Sequence, residues 1–177
     1  MNLKTSLTRF LIIAGCVITF NAYGKTPGEV LVGFSLVDIK MKGLNVKDSQ
    51  LSRYYGKPLI INVWASWCGP CKAEMGSLEV LAKQQNHSFN LIGISTDDYR
   101  DRALKLIDQT SITFDNYIDK HLVLENMLGA NKIPLTLLVD QEGKVLKKFH
   151  GSMKWDHPLM IKMINKILAK ADEKSIN

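Results

Sequence analysis

Runs of apolar residues and apolar residues at helical spacing alternate along most of the chain. Continuous apolar runs at 59–64 and 91–95 are typical of strands buried on both faces of a sheet. Looser alternation predicts further strands, and apolar positions three and four apart predict helices. The predicted strands are residues 30–39, 44–46, 59–64, 91–95, 114–118, 135–140 and 145–149. The predicted helices are a single turn at 48–52 and longer elements at 68–85, 100–109, 121–128 and 158–171.

The order of these elements indicates the fold class. Strands and helices alternate first, and a short insert, a β-hairpin turning at 141–144 and a closing helix follow. Helices that connect strands must cover the faces of a sheet, so this order predicts an α/β fold with a central mixed β-sheet flanked by helices. No internal repeat or long linker divides the chain. We expect one domain over 28–172 and a disordered tail at 173–177.

The first residues have the composition of a targeting segment. Lys4 and Arg9 precede an apolar run at 10–20, and small residues, Ala22 and Gly24, precede a cleavage point after residue 24. An 11-residue run is well short of the roughly 20 residues that a spanning helix needs. The pattern predicts a signal peptide over 1–24. We expect the protein to be exported to the periplasm. Three alternatives stay open: lipidation at Cys16 after lipoprotein-type cleavage, an uncleaved membrane anchor, and a buried N-terminal helix.

Composition and cysteine use narrow the possible functions. The chain has 177 residues, 46% hydrophobic and 23% charged, which is enough to bury a core. Its net charge of +6 comes from scattered basic residues, and we expect no nucleic-acid partner. Loss of Cys16 with the signal peptide would leave only Cys68 and Cys71. A structural zinc site needs four ligands and no second such pair exists, while Lys72 replaces the histidine of a haem-attachment motif. The sequence predicts neither a metal nor a cofactor.

The two cysteines form a C-x-x-C motif where a predicted buried strand gives way to a helix. A helix N-terminus offers free N–H groups and a positive dipole end, which stabilise a thiolate. In such motifs the pKa of the first cysteine falls from about 8.5 to between roughly 3.5 and 7.5. Cys68 is therefore the expected nucleophile, and Cys71, one turn later, the resolving thiol. Gly69 leaves room for a docking substrate, and Pro70 suits the first helical turn. A purely structural disulfide is the alternative.

Three segments together resemble one known family. They are NVWASWCGPCKAEM at 62–75, IPLTLLVD at 133–140 and GSM at 151–153. They resemble the thioredoxin superfamily, and specifically its exported TlpA/ResA-like branch, to which the CcmG/DsbE proteins are related. The resemblance covers most of 28–172. It implies a thioredoxin-like fold with an extra N-terminal β-hairpin and an α/β insert over about 97–131.

The resemblance also implies roles for single residues. Pro134 matches the cis-proline that faces the C-x-x-C, and the backbone of Ile133 would pair with an extended substrate. Glu74 resembles the acid that moves protons at the buried cysteine, and Trp67, beside Cys68, takes a place in the substrate site. The alternatives are an ordinary trans proline opening an edge strand and a solvated first-turn glutamate.

Two positions depart from the pattern of the resembled families. Gly76 stands where a proline often kinks the helix. Asn62 replaces the buried acid of cytoplasmic thioredoxins, which favours Glu74 as the proton carrier.

The expected function is an exported thiol-disulfide oxidoreductase that reduces disulfides in partner proteins, with cytochrome c maturation as its duty. The resemblance implies a disulfide-containing protein substrate such as apocytochrome c, and a membrane electron donor of the DsbD/CcdA type. We expect a monomer. A thiol oxidase or isomerase of the same fold is one alternative. A non-catalytic module that carries copper on the two thiols or docks proteins is another.

Overall fold

A computed structural model describes the backbone of residues 28–84 and 88–175, and side chains within these ranges up to Ala171. The predicted signal peptide at 1–24, with Cys16, lies outside the described residues. Within the described ranges, no helix combines the length and the apolar character needed to cross a bilayer.

Seven strands and four α-helices make up the described chain. The strands are β1 (Lys40–Gly43), β2 (Ser49–Gln50), β3 (Leu59–Trp64), β4 (Asn90–Ser95), β5 (Asp115–Ile118), β6 (Leu135–Val139) and β7 (Val145–His150). The helices are α1 (Gly69–Gln84), α2 (Arg100–Thr110), α3 (Val123–Leu128) and α4 (Pro158–Ser175), with a 3-10 helix at Leu51–Tyr54.

One mixed sheet joins all seven strands in the order β2-β1-β5-β4-β3-β6-β7. β3 pairs in parallel with β4 and antiparallel with β6, and β4 pairs in parallel with β5. The continuous apolar runs therefore occupy the middle of the sheet, where both faces are covered. This confirms the predicted central mixed sheet.

The core has two layers, one on each face of the sheet. Ile60 on β3 packs in a cluster with residues of α1, α2 and α4, such as Leu78 and Ile164. The next residue, Ile61, points into a second cluster with Leu124 of α3 and Leu36 of the N-terminal segment. Alternation along β3 thus serves two apolar layers, so helices flank both faces as predicted.

The strand predicted at 30–39 is wrong. This segment is irregular apart from an isolated bridge between Ser35 and Lys144, and β1 begins only at Lys40. Gly33 has a φ of +94°, which breaks the extended conformation, and apolar side chains such as Phe34 and Val37 are exposed. The loose alternation therefore does not reflect one buried face.

The extra N-terminal hairpin exists, but further along the chain than predicted. β1 pairs antiparallel with β2 at Ser49–Gln50, and residues 44–46 form the loop between them instead of a strand. The loop is tight, because a Cβ on Gly43 would lie 1.9 Å from the carbonyl oxygen of Val46. The Asp48 carboxylate accepts the N–H of Gly43, which closes the loop.

The structure contains the predicted insert and extends the last helix beyond its predicted end. α2, β5 and α3 fill the predicted insert at 97–131. α4 continues to Ser175, four residues beyond the helix end predicted at residue 171. Helical periodicity fades there while good helix formers continue, which explains the early predicted end.

Candidate redox site

The two cysteines meet at the carboxyl end of β3, where α1 begins. Cys68 immediately precedes α1 and forms a disulfide with Cys71, with an S–S distance of 2.07 Å. Cys68 is 5% exposed and Cys71 is fully buried. Gly69 and Pro70, which form the first turn of α1, are both exposed. Of the two sulfur-bearing residues, Cys68 is therefore the one nearer to the surface, and Cys71 lies fully inside.

The start of α1 directs a donor at the outer sulfur. The backbone N–H of Cys71 donates to Sγ of Cys68 at 3.2 Å. Such a bond, at the positive end of a 16-residue helix, stabilises negative charge on that sulfur when the disulfide is reduced. The geometry matches the thiolate chemistry expected from the sequence.

The loop before β6 brings Ile133 and Pro134 to the cysteines. The Ile133–Pro134 peptide bond is cis. The carbonyl oxygen of Ile133 lies 3.9 Å from Sγ of Cys68. The loop is held there because β6 pairs with β3 and because the carbonyl of Pro134 accepts the N–H of Gly151.

Glu74 lies on the inward face of α1 and is 1% exposed. Its carboxylate accepts hydrogen bonds from Asn62 Nδ2 at 2.9 Å, Met153 N at 3.0 Å and Trp155 Nε1 at 3.0 Å. Burial raises the pKa of this carboxyl, and the three donors partly oppose the rise. Glu74 is therefore a buried carboxyl with a raised pKa, one helical turn after Cys71, and the solvated alternative is wrong.

Trp67 is the exposed member of the site, with 67% of its side chain accessible. It lines a cleft of about 740 Å³ that Ile133 also lines. The structure thus brings together, at one edge of the sheet, all the residues that the sequence picked out. They are Trp67, Cys68, Gly69, Pro70, Cys71, Glu74, Ile133 and Pro134.

Comparison with known proteins identifies the family of the chain. The sequence profile of the AhpC/TSA family matches residues 32–148. The chain belongs to the AhpC/TSA family. The thiol:disulfide interchange protein DsbE of Vibrio cholerae is 31% identical to this chain over 179 residues, spanning 94% of this chain and 95% of that protein. The thiol-disulfide oxidoreductase ResA of Geobacillus thermodenitrificans is 29% identical over 125 residues, spanning 70% and 72%.

A solved structure agrees on the fold of this AhpC/TSA protein. The thioredoxin domain of a thiol-disulfide oxidoreductase from Bacteroides vulgatus superposes with a TM-score of 0.65 at 19% identity, covering 79% of this chain and 99% of that one. The fold is thioredoxin-like, as predicted. The protein is a thiol-disulfide oxidoreductase of the ResA/DsbE type with a C-x-x-C disulfide.

Two groups at the site of this AhpC/TSA protein escaped the sequence analysis. Trp155 is fully buried and donates to Glu74, while its ring packs edge-on against Phe149 at 5.5 Å. Its position on a loop, 81 residues from Glu74, carries no local pattern that would reveal the contact.

The second group is a clamp on the turn that carries Cys68. Asp97 is 1% exposed, and its carboxylate accepts the N–H of Ser66 at 2.8 Å, the hydroxyl of Ser66, and the hydroxyl of Ser95 at 2.8 Å. Ser66 lies two residues before Cys68. The only available signal was that Ser66 and Asp97 follow neighbouring parallel strands, whose carboxyl ends share one edge of the sheet.

Proposed function

We propose that this protein, in its reduced form, reduces disulfide bonds in partner proteins. The Cys68 thiolate attacks one sulfur of the partner's disulfide, forming a mixed disulfide, and the partner's other sulfur leaves as a thiolate that takes up a proton. Cys71, once deprotonated, attacks Sγ of Cys68 and releases the second partner thiol. Two electrons pass to the partner, and the protein is left with the Cys68–Cys71 disulfide.

The unequal placement of the two sulfurs carries this proposal. Cys68 lies between exposed neighbours, Trp67 and Gly69, while Cys71 is fully buried. A partner disulfide can therefore reach only the first sulfur. Because Cys71 is one helical turn away, it can attack the mixed disulfide without a change of fold.

Glu74 supports the second step. Resolution requires Cys71, a buried thiol, to lose a proton, and Glu74 lies three residues later on the same helix. Because burial raises its pKa, the Glu74 carboxylate is a stronger proton acceptor than an exposed glutamate. We propose that Glu74 carries the proton of Cys71.

The cis loop supports substrate binding. The backbone of Ile133 lies beside Cys68, and β6 begins two residues later at Leu135. An extended partner segment that pairs with this backbone would bring its disulfide to Sγ of Cys68. We propose that Ile133 and Pro134, with Trp67, form this binding surface.

The compartment and the duty extend the proposal. An exported reductant works where thiols are kept oxidised, so it needs a donor of electrons. We infer export to the periplasm through residues 1–24, a membrane donor of the DsbD/CcdA type, and apocytochrome c cysteines as substrate. The likeness to DsbE and ResA supports this duty. Deletion of the gene should lower the level of c-type cytochromes, and unchanged levels would contradict it.

A trapping experiment tests the central reaction. Cys71→Ser removes the resolving thiol, so a partner should stay covalently bound to Cys68 and be released by dithiothreitol. Cys68→Ser is the matched control and should trap nothing. Equal trapping by both variants would overturn the proposed order of attack. A reduction potential closer to about −270 mV than to about −120 mV would support a reductant, and the reverse would indicate an oxidase.

A further inference from the structure

Leu122 has a backbone conformation that its side chain does not favour. At the N-cap of α3 its φ is +56° and ψ is 26°, in the left-handed region. Residues with a branched side chain rarely occupy this region, which glycine and asparagine adopt far more easily. Strained backbone of this kind often marks a functional position.

Asp119 fixes this conformation. Its carboxylate accepts the N–H groups of Val123 at 3.0 Å and Glu125 at 2.7 Å, and its carbonyl accepts the N–H of Leu122 at 3.0 Å. Asp119 is 6% exposed, so these bonds are shielded from water. The turn is rigid, and the strain at Leu122 is built into the start of α3.

Burial of the Leu122 side chain in the core does not offset this backbone strain. The side chain is 38% exposed and lines the 740 Å³ cleft that Trp67 and Ile133 also line. Trp67 is the neighbour of Cys68, and the Ile133 carbonyl lies 3.9 Å from Sγ of Cys68. The turn therefore holds an apolar side chain in the cleft that Trp67 and Ile133, the two residues next to Cys68 in sequence or in space, also line.

The charges of this cleft limit what can enter it. Asp98 and Glu125 line it against one lysine, Lys132. An acidic side chain would meet two carboxylates, whereas an apolar side chain would contact Leu122 and the Trp67 ring. A partner must already place its disulfide at Cys68, so the residue next to its cysteine is the part of the partner closest to this cleft.

We propose that Leu122 and Trp67 bind the apolar side chain that neighbours the reacting cysteine of the partner, so that the cleft selects large apolar residues at that position. The proposal rests on the function proposed above and names the class of segment that this site takes. Leu122 is then a specificity-determining residue.

Two short peptides test the proposal on the full chain. They are identical except for leucine or serine beside the single cysteine, and each is supplied as its symmetrical disulfide. Burial of a leucine side chain should give the leucine peptide about a tenfold higher kcat/KM with the wild-type protein. Leu122→Gly, which fits the left-handed turn without strain, should reduce this ratio to about threefold or less.

Leu31→Gly is the matched control. Leu31 is the same residue type with the same 38% exposure, and it does not line the cleft. It should keep the wild-type ratio. Leu122→Asn, which also tolerates the left-handed conformation, gives a second variant should the glycine variant fold poorly.

The outcomes separate this proposal from the proposed function. Equal kcat/KM for both peptides with wild-type protein, or an unchanged ratio in both Leu122 variants, overturns the apolar cleft while leaving disulfide reduction intact. No turnover of either peptide by the reduced wild-type protein overturns the proposed function itself, and the cleft with it. A ratio that falls equally in Leu31→Gly would also overturn the specific role of Leu122.

Discussion

Glu74 is bound only by neutral donors, the side chains of Asn62 and Trp155 and the backbone of Met153. These bonds orient the carboxyl but do not supply the opposite charge that would keep it ionised at low cost. Burial is therefore the dominant influence, and it raises the pKa of Glu74 above its ordinary value of 4.5. The carboxyl is thus easier to protonate in the folded protein than in the unfolded chain.

This difference predicts how stability depends on pH. Between pH 4.5 and the raised pKa, the folded state binds more protons than the unfolded state, so the contribution of Glu74 to the free energy of unfolding falls as pH rises. Glu74→Gln removes this contribution. The free energy of unfolding of the variant, relative to wild type, should therefore rise from pH 4.5 to pH 8 in urea titrations. A difference independent of pH would contradict the raised pKa.

The hydrogen bonds of Asp97 should contribute to the stability of the fold. In Asp97→Asn, the bonds from Ser66 and Ser95 lose their charged acceptor, and only one oxygen is left to accept the N–H of Ser66. The free energy of unfolding should fall by about 1–3 kcal/mol, measured by urea denaturation. Asp98→Asn, at the exposed neighbouring position, is the control and should change stability by less than about 0.5 kcal/mol. Equal losses in both variants would show that the clamp is not special.

Single residues were predictable where chemistry and spacing coincide. Cys71 and Glu74 lie on α1 and Cys68 immediately precedes it, all within seven residues, so the sequence alone places them together. Trp155 and Asp97 reach the site only through the packing of α4 and β4, and long-range contacts of this kind leave no periodic signal. Leu122 escaped notice because its conformation is set by Asp119, through capping that is invisible in a pattern of apolar positions.

Among the elements, α1 is a continuous helix that passes through Gly76. The helix runs without interruption from Gly69 to Gln84, although glycine stands where the resembled families often have a kinking proline. A Cβ on Gly76 would meet no atom within 4 Å. The helix therefore carries Cys71 and Glu74 on a regular frame.

Two glycine variants test the elements that frame the site. Gly76→Ala should raise the free energy of unfolding by about 0.5–1 kcal/mol, because alanine favours the helix and has room. Gly93→Ala in β4 should lower it by about 3 kcal/mol or more, since the new Cβ would lie 1.9 Å from Asn116 Oδ1 and 2.8 Å from Trp64 Nε1. Thermal or urea denaturation measures both. Similar effects of the two substitutions would contradict the described packing of β4.

The elements that sequence predicted well are those with a single dominant pattern. β3, β4 and β6 are predominantly apolar because both faces of the sheet are covered, and their predicted bounds differ from the observed ones by at most one residue. The segment at 30–39 was mispredicted because its apolar side chains do not share one environment. Leu36 enters the core, while Phe34 and Val37 are exposed.

At the scale of the whole molecule, this N-terminal segment pairs with the start of β7, the strand at one edge of the sheet. β7 is the last strand, and its start is bonded by Gly33 N to Val145 O at 2.7 Å and by Val145 N to Phe34 O at 2.9 Å. Leu36 N donates to Gly143 O at 2.8 Å. An uncovered edge strand is prone to pair with another chain, so the segment favours the predicted monomer.

Removal of the segment tests this. A chain beginning at residue 38 should unfold at lower urea concentration than a chain beginning at residue 28, and it should self-associate as concentration rises. Light scattering after size exclusion measures the association. Val37→Ser, at a site 70% exposed, is the control and should remain like the longer chain. A truncated chain that stays monomeric would contradict the role of the segment.

The proposed reaction requires Cys68 and Cys71 to differ in reactivity, and alkylation of the reduced protein across a pH series measures this difference directly. Cys68 should react with iodoacetamide with a half-maximal rate below about pH 7.5, while Cys71 reacts much more slowly in the folded protein. Peptide mapping after each pulse identifies the modified sulfur. If both cysteines react equally, with half-maximal rates above about pH 8, neither sulfur is held as an anion and the proposed order of attack is wrong.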